Sequence, residues 1–345
     1  MILRSTKLSL TMAACFLDPV AALSTVTPRI SERSFRYVPY GESAPSTNDG
    51  LPTITCDGRV PGATLEVTHW TDNETPDALY EDTSTGMAIQ LAKQQEDFSV
   101  YDKALVLNNH YDTDGVCSVW ACLQPEMALK YETLLISGAE AGDFGEWTSD
   151  DGVKLDLAIS ELWSDDEERA YEKALSMMPD LLKEIKENNG EKFKDLWQSS
   201  YAQALDDWDD ICRGSITLRK GTDQIAIVEE KTPSSYLSPY ALHRGLCEKG
   251  LWDGCTRILR VNALENGKNK FVFEKIGHGW VMKLVHRHHV PDADTDALVN
   301  LLNEKLGTDS WAPKGPSGLV SVCRTRGGIS CSIEEVVSIL DEAEA

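Results

Sequence analysis

The chain has 345 residues, of which 41% are hydrophobic and 26% are charged, so it is long enough for one large or two ordinary domains with buried cores. Its formal net charge of -23 repels polyanions, which argues against long nucleic acid as a partner. The nine cysteines show no paired CxxC spacing, so we expect reduced, mostly buried thiols and neither a disulfide framework nor a zinc knuckle.

The N-terminus has the composition of a targeting segment. It combines Arg4 and Lys7 with a short apolar stretch and a small-residue sequence, AALS, that suits cleavage. We interpret residues 1–24 as a secretory or organellar signal, with a retained N-terminus as the alternative. The apolar stretch is too short to span a bilayer. We therefore expect a soluble mature protein without stable membrane insertion, and the compartment and oligomeric state stay open.

Composition divides the rest of the chain into three parts. Residues 25–60 are rich in Pro, Ser and Gly, which is typical of a linker or a surface arm. Residues 61–230 follow the pattern of an α/β domain. Residues 231–345 follow that of a smaller α+β domain.

Alternating strands and helices begin near residue 64. TLEVTHW predicts a strand, and the next stretch leads into a helix with Asp82, Ser84 or Thr85 as its cap. KALVLNN predicts a buried strand, GVCSVWACL predicts a helix opened by Gly115, and TLLISGAEAG predicts a third buried strand. This order is typical of a parallel sheet with right-handed crossovers.

The second half of the chain changes from helices to strands. Helical periodicity in residues 153–211 predicts two to four amphipathic helices inserted into the α/β domain. Two hairpins follow, with turns at residues 220–222 and 265–269. GWVMKLVHRH and GLVSVCRTR predict strands, and Ser332 and Glu335 form a capping box before a final helix. The predicted fold class is α/β: a parallel-sheet domain with inserted helices, then a smaller α+β domain with antiparallel strands.

The stretch ALVLNNHYDTDG places His110, Asp112 and Asp114 directly after a predicted buried strand. Ligands of open parallel sheets bind beyond the carboxyl ends of the strands. Two carboxylates beside a histidine repel one another without a cation, and this donor set suits Mn²⁺ or Mg²⁺. Such an ion activates water and offsets phosphoryl charge, which favours phosphoester hydrolysis. An ordinary strand-to-helix turn is the alternative.

HYDTDGVCS after an apolar strand also resembles the first motif of the DHH phosphoesterase superfamily. The resemblance implies a Mn²⁺- or Mg²⁺-dependent hydrolase of oligonucleotide ends, cyclic dinucleotides, short nucleotides or polyphosphates, with His110, Asp112 and Asp114 as metal ligands. It also implies a further ligand, Asp143, as the lone aspartate of the second motif. The third motif, Asp-His-His, and the Gly-Gly-Gly-His substrate motif have no counterpart in the sequence.

Other residues are candidates for substrate binding or catalysis. His69 ends a predicted strand, so it either lies near the metal ligands or is a buried structural histidine. Asp82 and Ser84 either reach a phosphate from a helix start or only cap that helix. His243 is a candidate general acid or second metal ligand, and Arg244 is a candidate phosphate clamp.

Two further clusters have simpler explanations as well. Arg324 and Arg326, with Lys314, form the best basic cluster for a phosphate, although a solvated surface explains them too. His286 and His288 would share one face of a strand, as metal ligands or simply as an exposed strand end.

We therefore predict a Mn²⁺- or Mg²⁺-dependent phosphoesterase that acts on a small phosphorylated molecule or a short oligonucleotide. The alternative, favoured by the missing third motif, is a degenerate DHH-like protein that binds a metal or nucleotide, or serves as a scaffold, without catalysis. A hydrolase built on Cys117 or Ser118 ranks third because the sequence offers no neighbouring base.

Overall fold

The computed structural model describes residues 32–47, 50–230, 237–314 and 320–344. The predicted targeting segment, residues 1–24, lies outside these ranges. Within them, no helix is both long and apolar enough to cross a membrane. The eight cysteines that fall within the described ranges are free and mostly buried, as predicted.

Four short strands form the first sheet: β1 (Ser34–Tyr37), β2 (Thr53–Cys56), β3 (Leu65–Val67) and β4 (Leu105–Asn108). Their order is β1-β4-β2-β3, and all neighbours are parallel. All four residues of β2 are buried, as expected in a sheet that is covered on both faces. The predicted parallel α/β class is confirmed. The interpretation of residues 25–60 as a linker or arm missed β1 and β2, because strands of four residues leave little apolar pattern.

Seven helices precede the second sheet along the described chain. They are α1 (Ser84–Lys93), α2 (Thr113–Leu123), α3 (Pro125–Lys130), α4 (Glu132–Phe144), α5 (Asp150–Ser160), α6 (Glu167–Asn188) and α7 (Lys194–Arg213). The last three confirm the predicted helices of residues 153–211. Apolar side chains of α1, α2, α4, α5 and α6 share one core with the sheet.

The prediction of a strand for TLLISGAEAG is wrong, since this stretch lies in α4. A short apolar run does not distinguish a buried strand from a buried helix. α4 packs against both α2 and α5, so more than one of its faces is apolar. The contact with α5 is close: a Cβ atom on Gly138 would lie 2.8 Å from Leu155 Cδ2.

Six strands within the described ranges form the second sheet: β5 (Ile216–Lys220), β6 (Ile225–Glu230), β7 (Arg257–Ala263), β8 (Asn269–Lys275), β9 (Trp311–Pro313) and β10 (Ser321–Thr325). Their order is β5-β6-β7-β8-β10-β9. All neighbours in this sheet are antiparallel except β6 and β7, which are parallel. Helices α8 (Pro239–Glu248), α9 (Thr295–Lys305) and α10 (Ile333–Glu344) accompany it. Both predicted hairpins are confirmed. The capping box is confirmed too: Glu335 N donates to Ser332 Oγ at 3.2 Å, and Ser332 N donates to Glu335 Oε2 at 2.8 Å.

The prediction of a strand for GWVMKLVHRH is wrong. Gly277–Trp280 forms a 3₁₀ turn, and residues 281–290 have no regular structure. The segment does not pair as a strand because the backbone N–H groups of Val285 and His286 donate to the Asp82 side chain and not to a neighbouring strand. This segment therefore ties the second sheet to the loop that precedes α1.

A candidate metal centre at the edge of the parallel sheet

Acidic and imidazole side chains follow three neighbouring strands at the edge where each strand ends. Asp57 comes directly after β2, His69 lies two residues after β3, and His110 lies two residues after β4. Because parallel strands end at a common edge, these side chains meet in space although they are far apart in sequence.

The first group consists of Asp57, His69, Asp114 and Asp143, whose ligand atoms all lie within 4.8 Å of one another. His69 Nε2 is central to it. This atom lies 3.0 Å from Asp143 Oδ2, 3.5 Å from Asp57 Oδ1 and 3.7 Å from Asp114 Oδ2. One imidazole nitrogen therefore faces three carboxylates, of which those of Asp57 and Asp114 are buried.

The second group consists of Asp57, His110 and Asp112, again with ligand atoms within 4.8 Å of one another. His110 Nε2 lies 2.7 Å from Asp57 Oδ2 and 3.0 Å from Asp112 Oδ2. Asp57 thus belongs to both groups and turns one carboxylate oxygen toward each. Both groups could hold a metal ion.

The far side of the His69 ring decides which nitrogen is available to a metal. His69 Nδ1 lies 2.7 Å from the backbone oxygen of Asp82. A carbonyl oxygen only accepts hydrogen bonds, so Nδ1 carries the proton and donates. This leaves Nε2 as the coordinating atom, and it points at the carboxylates. Metal-binding histidines commonly have this arrangement, with the second nitrogen bonded to a carbonyl.

The N-terminus of α1 holds two of the carboxylates in place. Asp114 accepts hydrogen bonds from the backbone N–H groups of Ser84 and Thr85, both at 2.7 Å. The Ser84 hydroxyl donates to Asp57 Oδ1 at 3.0 Å. The positive end of the helix dipole lowers the cost of burying this negative charge.

Asp112 has two roles at once. It is the N-cap of α2, because its Oδ1 accepts from the backbone N–H of Gly115 at 2.7 Å. Its Oδ2 faces His110. The alternative of a strand-to-helix turn is therefore correct for one oxygen of Asp112, and it is compatible with a metal-binding role for the other.

Burial and mutual repulsion separate the pKa values of these groups. Burial raises the pKa of Asp114 to about 6, with a further contribution from the Asp57 charge. Burial and then the Asp114 charge raise the pKa of Asp143 well above its usual range. Burial would also raise the pKa of Asp57, but His110 and His69 hold it below its usual range. Carboxylates this crowded are poorly stabilised unless a cation joins them.

The four predicted metal ligands are divided between the two groups. Asp114 and Asp143 belong to the first group, and His110 and Asp112 belong to the second. Asp143 comes from the last turn of α4 and not from the end of a strand. His69, predicted either to lie near the metal ligands or to be a buried structural histidine, lies within the first group.

Asp82 and Ser84 support the site from the loop before α1. The helix cap is their neighbour Thr83, whose side chain accepts from the backbone N–H of Gly86. Asp82 is buried and accepts from residues 285–287. Asp82 thus joins the loop before α1 to residues 285–287, and the Ser84 hydroxyl bonds to Asp57.

The predicted catalytic pair on α8 lies outside both groups. His243 is nearly buried, and its Nδ1 accepts from the backbone N–H of Trp147 at 3.0 Å. Arg244 pairs with Glu248 and stacks on Trp147 and Trp208. The described partners of this pair are therefore not members of either group.

The predicted basic cluster lies outside both groups. Arg324 and Arg326 are exposed on the second sheet, in and just after β10, whereas Lys314 pairs with Glu274. Of the late histidines, His286 faces Glu81 and His288 lies 2.6 Å from the Cys255 carbonyl oxygen. The structure does not bring any of them into the two groups.

Sequence reasoning missed Asp57. The signal was present, because TITCDG is a short apolar run that ends in Asp-Gly. ALVLNNHYDTDG is also an apolar run that ends in Asp-Gly, with more residues between the two parts. The Pro- and Ser-rich composition around it concealed the strand. Only the pairing of β2 between β3 and β4 gives Asp57 its neighbours.

The sequence comparison places the chain in a family. Residues 33–334 match DUF6687, described as a family of unknown function, and the chain belongs to that family. No curated protein matches the chain.

Proposed function

We propose that this protein is a divalent-metal-dependent phosphoric ester hydrolase whose centre holds two ions that share Asp57. The observation that carries the proposal is the position of that carboxylate, with Oδ1 3.5 Å from His69 Nε2 and Oδ2 2.7 Å from His110 Nε2. Two ions joined by one carboxylate are common in enzymes that transfer or hydrolyse phosphoryl groups.

The donor set fits hard divalent ions. Aspartate oxygens and imidazole nitrogens suit Mn²⁺ or Mg²⁺, and neither group contains the cysteines typical of structural zinc. Among the described residues, Asp57 Oδ2 and His69 Nε2 are buried atoms without a hydrogen bond of suitable geometry, although Asp57 Oδ2 lies 2.7 Å from His110 Nε2 and His69 Nε2 lies 3.0 Å from Asp143 Oδ2. A cation between such atoms would satisfy them.

Each residue has a definite part in this proposal. A bound divalent ion would lower the pKa of water and offset charge on a phosphoryl oxygen. Asp114, fixed by the N-terminus of α1, and His69, fixed by the Asp82 carbonyl, would orient the buried ion. His110 and Asp112 are the more exposed ligands and would face the substrate. The resemblance of HYDTDGVCS to the first DHH motif supports the same chemistry.

The test is hydrolysis by the full-length protein after chelation and readdition of Mn²⁺ or Mg²⁺, with phosphomonoester, phosphodiester and pyrophosphate substrates. We expect metal-dependent turnover that Asp143→Asn removes and Asp253→Asn, an exposed change, retains. Metal binding without turnover of any substrate class would instead favour a metal- or nucleotide-binding protein without catalysis. Turnover that chelation leaves unchanged would contradict both the metal-dependent hydrolase and the non-catalytic alternative.

A further inference from the structure

We propose that Trp70 selects the substrate of this centre by stacking on a flat ring, a nucleobase, attached close to the phosphate. The inference rests on the proposed function and narrows its substrate from phosphorylated compounds in general to nucleotides. It is drawn from the way the metal groups open to solvent and from the side chains beside that opening.

The two groups differ in exposure, and this difference locates the opening. The side chains of His69 and Asp114 are 0% exposed, and that of Asp57 is 1% exposed. In the second group His110 is 23% exposed and Asp112 is 43% exposed. A substrate therefore reaches the centre across His110 and Asp112.

Trp70 stands beside the exposed histidine. Its ring centroid lies 5.1 Å from that of His110, with an angle of 51° between the planes. The edge of Trp280 meets it from another side, with centroids 6.3 Å apart. Trp70 is only partly buried, so part of its indole surface stays accessible next to a metal ligand.

The backbone of Trp70 is anchored on both sides. Its N–H donates to Thr68 Oγ1 at 3.2 Å, and its carbonyl accepts from Asn73 Nδ2 at 2.7 Å. The indole itself packs against His110 and Trp280, so it loses little conformational entropy when a second ring stacks on it. The indole is therefore suited to be a fixed platform.

A cation flanks the same opening. Arg59 Nη1 donates to the carbonyl of Thr71, the residue after Trp70, at 3.2 Å, and its side chain is 38% exposed. Asn109 Nδ2 donates to the Arg59 carbonyl at 2.9 Å, which ties this loop to the residue before His110. Arg59 Nε also lies 3.5 Å from Glu66 Oε1, so its charge is partly offset, and the exposed part of the guanidinium is what could contact an anionic ligand. Proteins that bind single-stranded nucleic acids use the same combination, with bases stacked on aromatic side chains and phosphates beside positive charge.

The test compares two non-hydrolysable ligands that differ only in the base: the phosphonate analogues of adenosine 5′-monophosphate and ribose 5-phosphate. Calorimetry on full-length, Mn²⁺-loaded protein gives the ratio of their dissociation constants in the wild type, Trp70→Leu, Trp70→Phe and Trp163→Leu. Trp163 is a matched control because it is 54% exposed and in neither metal group. A ratio within one variant cancels any effect of the substitution on the ion itself.

We expect the wild type to prefer the nucleotide by roughly 5- to 100-fold, the range of base stacking on an aromatic side chain. Trp70→Leu should bring the ratio near one, while Trp70→Phe and Trp163→Leu should keep most of it. If the wild type binds Mn²⁺ but its ratio is near 1, the inference is overturned and the metal centre is not. The same holds if Trp70→Leu keeps the wild-type ratio. Failure of the wild type to bind Mn²⁺ would overturn the centre and the inference together.

Discussion

Asp57 Oδ2 lies 2.7 Å from His110 Nε2, and this contact joins the loop after β2 to the loop after β4. The other oxygen of the same carboxylate faces His69, so one side chain lies between two groups of ligands. It follows that changes at His69 act on the buried group first, whereas changes at Asp57 act on both groups.

Replacing the buried imidazole should remove one ligand without disturbing the sheet. An ion that binds only the folded state stabilises it by about 2.7 kcal/mol at a concentration of 100 Kd. We therefore expect Mn²⁺ to raise the melting temperature of the wild type by several degrees and to raise that of His69→Gln far less. His289→Gln, an exposed histidine outside both groups, is the control. Equal shifts in the two variants would contradict a role for His69 as a ligand.

A glycine beside Asp57 controls how closely the two loops approach. A Cβ atom on Gly58 would lie 2.0 Å from Asn109 Oδ1 and 2.6 Å from Asn108 Oδ1. Gly58→Ala should therefore push Asn109 and the adjoining His110 away, at a cost of about 1 to 3 kcal/mol in the free energy of unfolding.

Denaturant unfolding measures that cost, and Mn²⁺ titration should show weaker binding as well. Gly327→Ala is the matched control because nothing lies within 4 Å of its Cβ position. Equal unfolding free energies and equal Mn²⁺ affinities in the two variants would mean that the close approach of these loops has no importance.

The sequence was most informative where structure is local. The predicted strand ALVLNN became β4, the periodicity of residues 153–211 became α5 to α7, and the capping box formed as expected. The motif HYDTDG did supply members of both groups.

What the sequence did not reveal depends on pairing at long range. Asp57 and His69 come together only through the parallel order β4-β2-β3, and no local sequence pattern encodes that order. Asp143 does join the first group, but it comes from a helix and not from the end of a strand, because an apolar run suits a buried helix as well as a buried strand. His243 and Arg244 looked reactive in a turn, yet in the fold their partners are Trp147 and Glu248.

A largely buried ion pair between the segment 281–290 and the chain just after α4 should make stability depend on pH. Arg287 pairs with Glu146, which is 3% exposed, and also with Asp82 and Glu140. Burial would raise the pKa of Glu146, but Arg287 and His278 hold it at about 2, below its ordinary value of 4.5. A carboxyl with a lowered pKa stabilises the fold above its unfolded pKa, and that stability is lost as pH falls through the folded pKa.

The expected contribution of Glu146 is about 3 kcal/mol at pH 7, and it should decline between about pH 4.5 and pH 2. Urea unfolding of the wild type and Glu146→Gln at pH 7, 5, 4 and 3 measures this, with the exposed Glu248→Gln as control. The difference between wild type and Glu146→Gln should shrink as the pH is lowered. A difference that stays constant from pH 7 to pH 3 would show that the carboxylate charge contributes nothing.

The central claim is that Asp57 is shared by two ions, and equilibrium dialysis against Mn²⁺ tests it most directly. Bound Mn²⁺ per chain would be counted for full-length wild type, Asp57→Asn and the exposed control Asp253→Asn. We predict two ions in the wild type and the control, and at most one, weakly held, in Asp57→Asn. No bound Mn²⁺ in the wild type, or the same two ions in Asp57→Asn, would contradict the account.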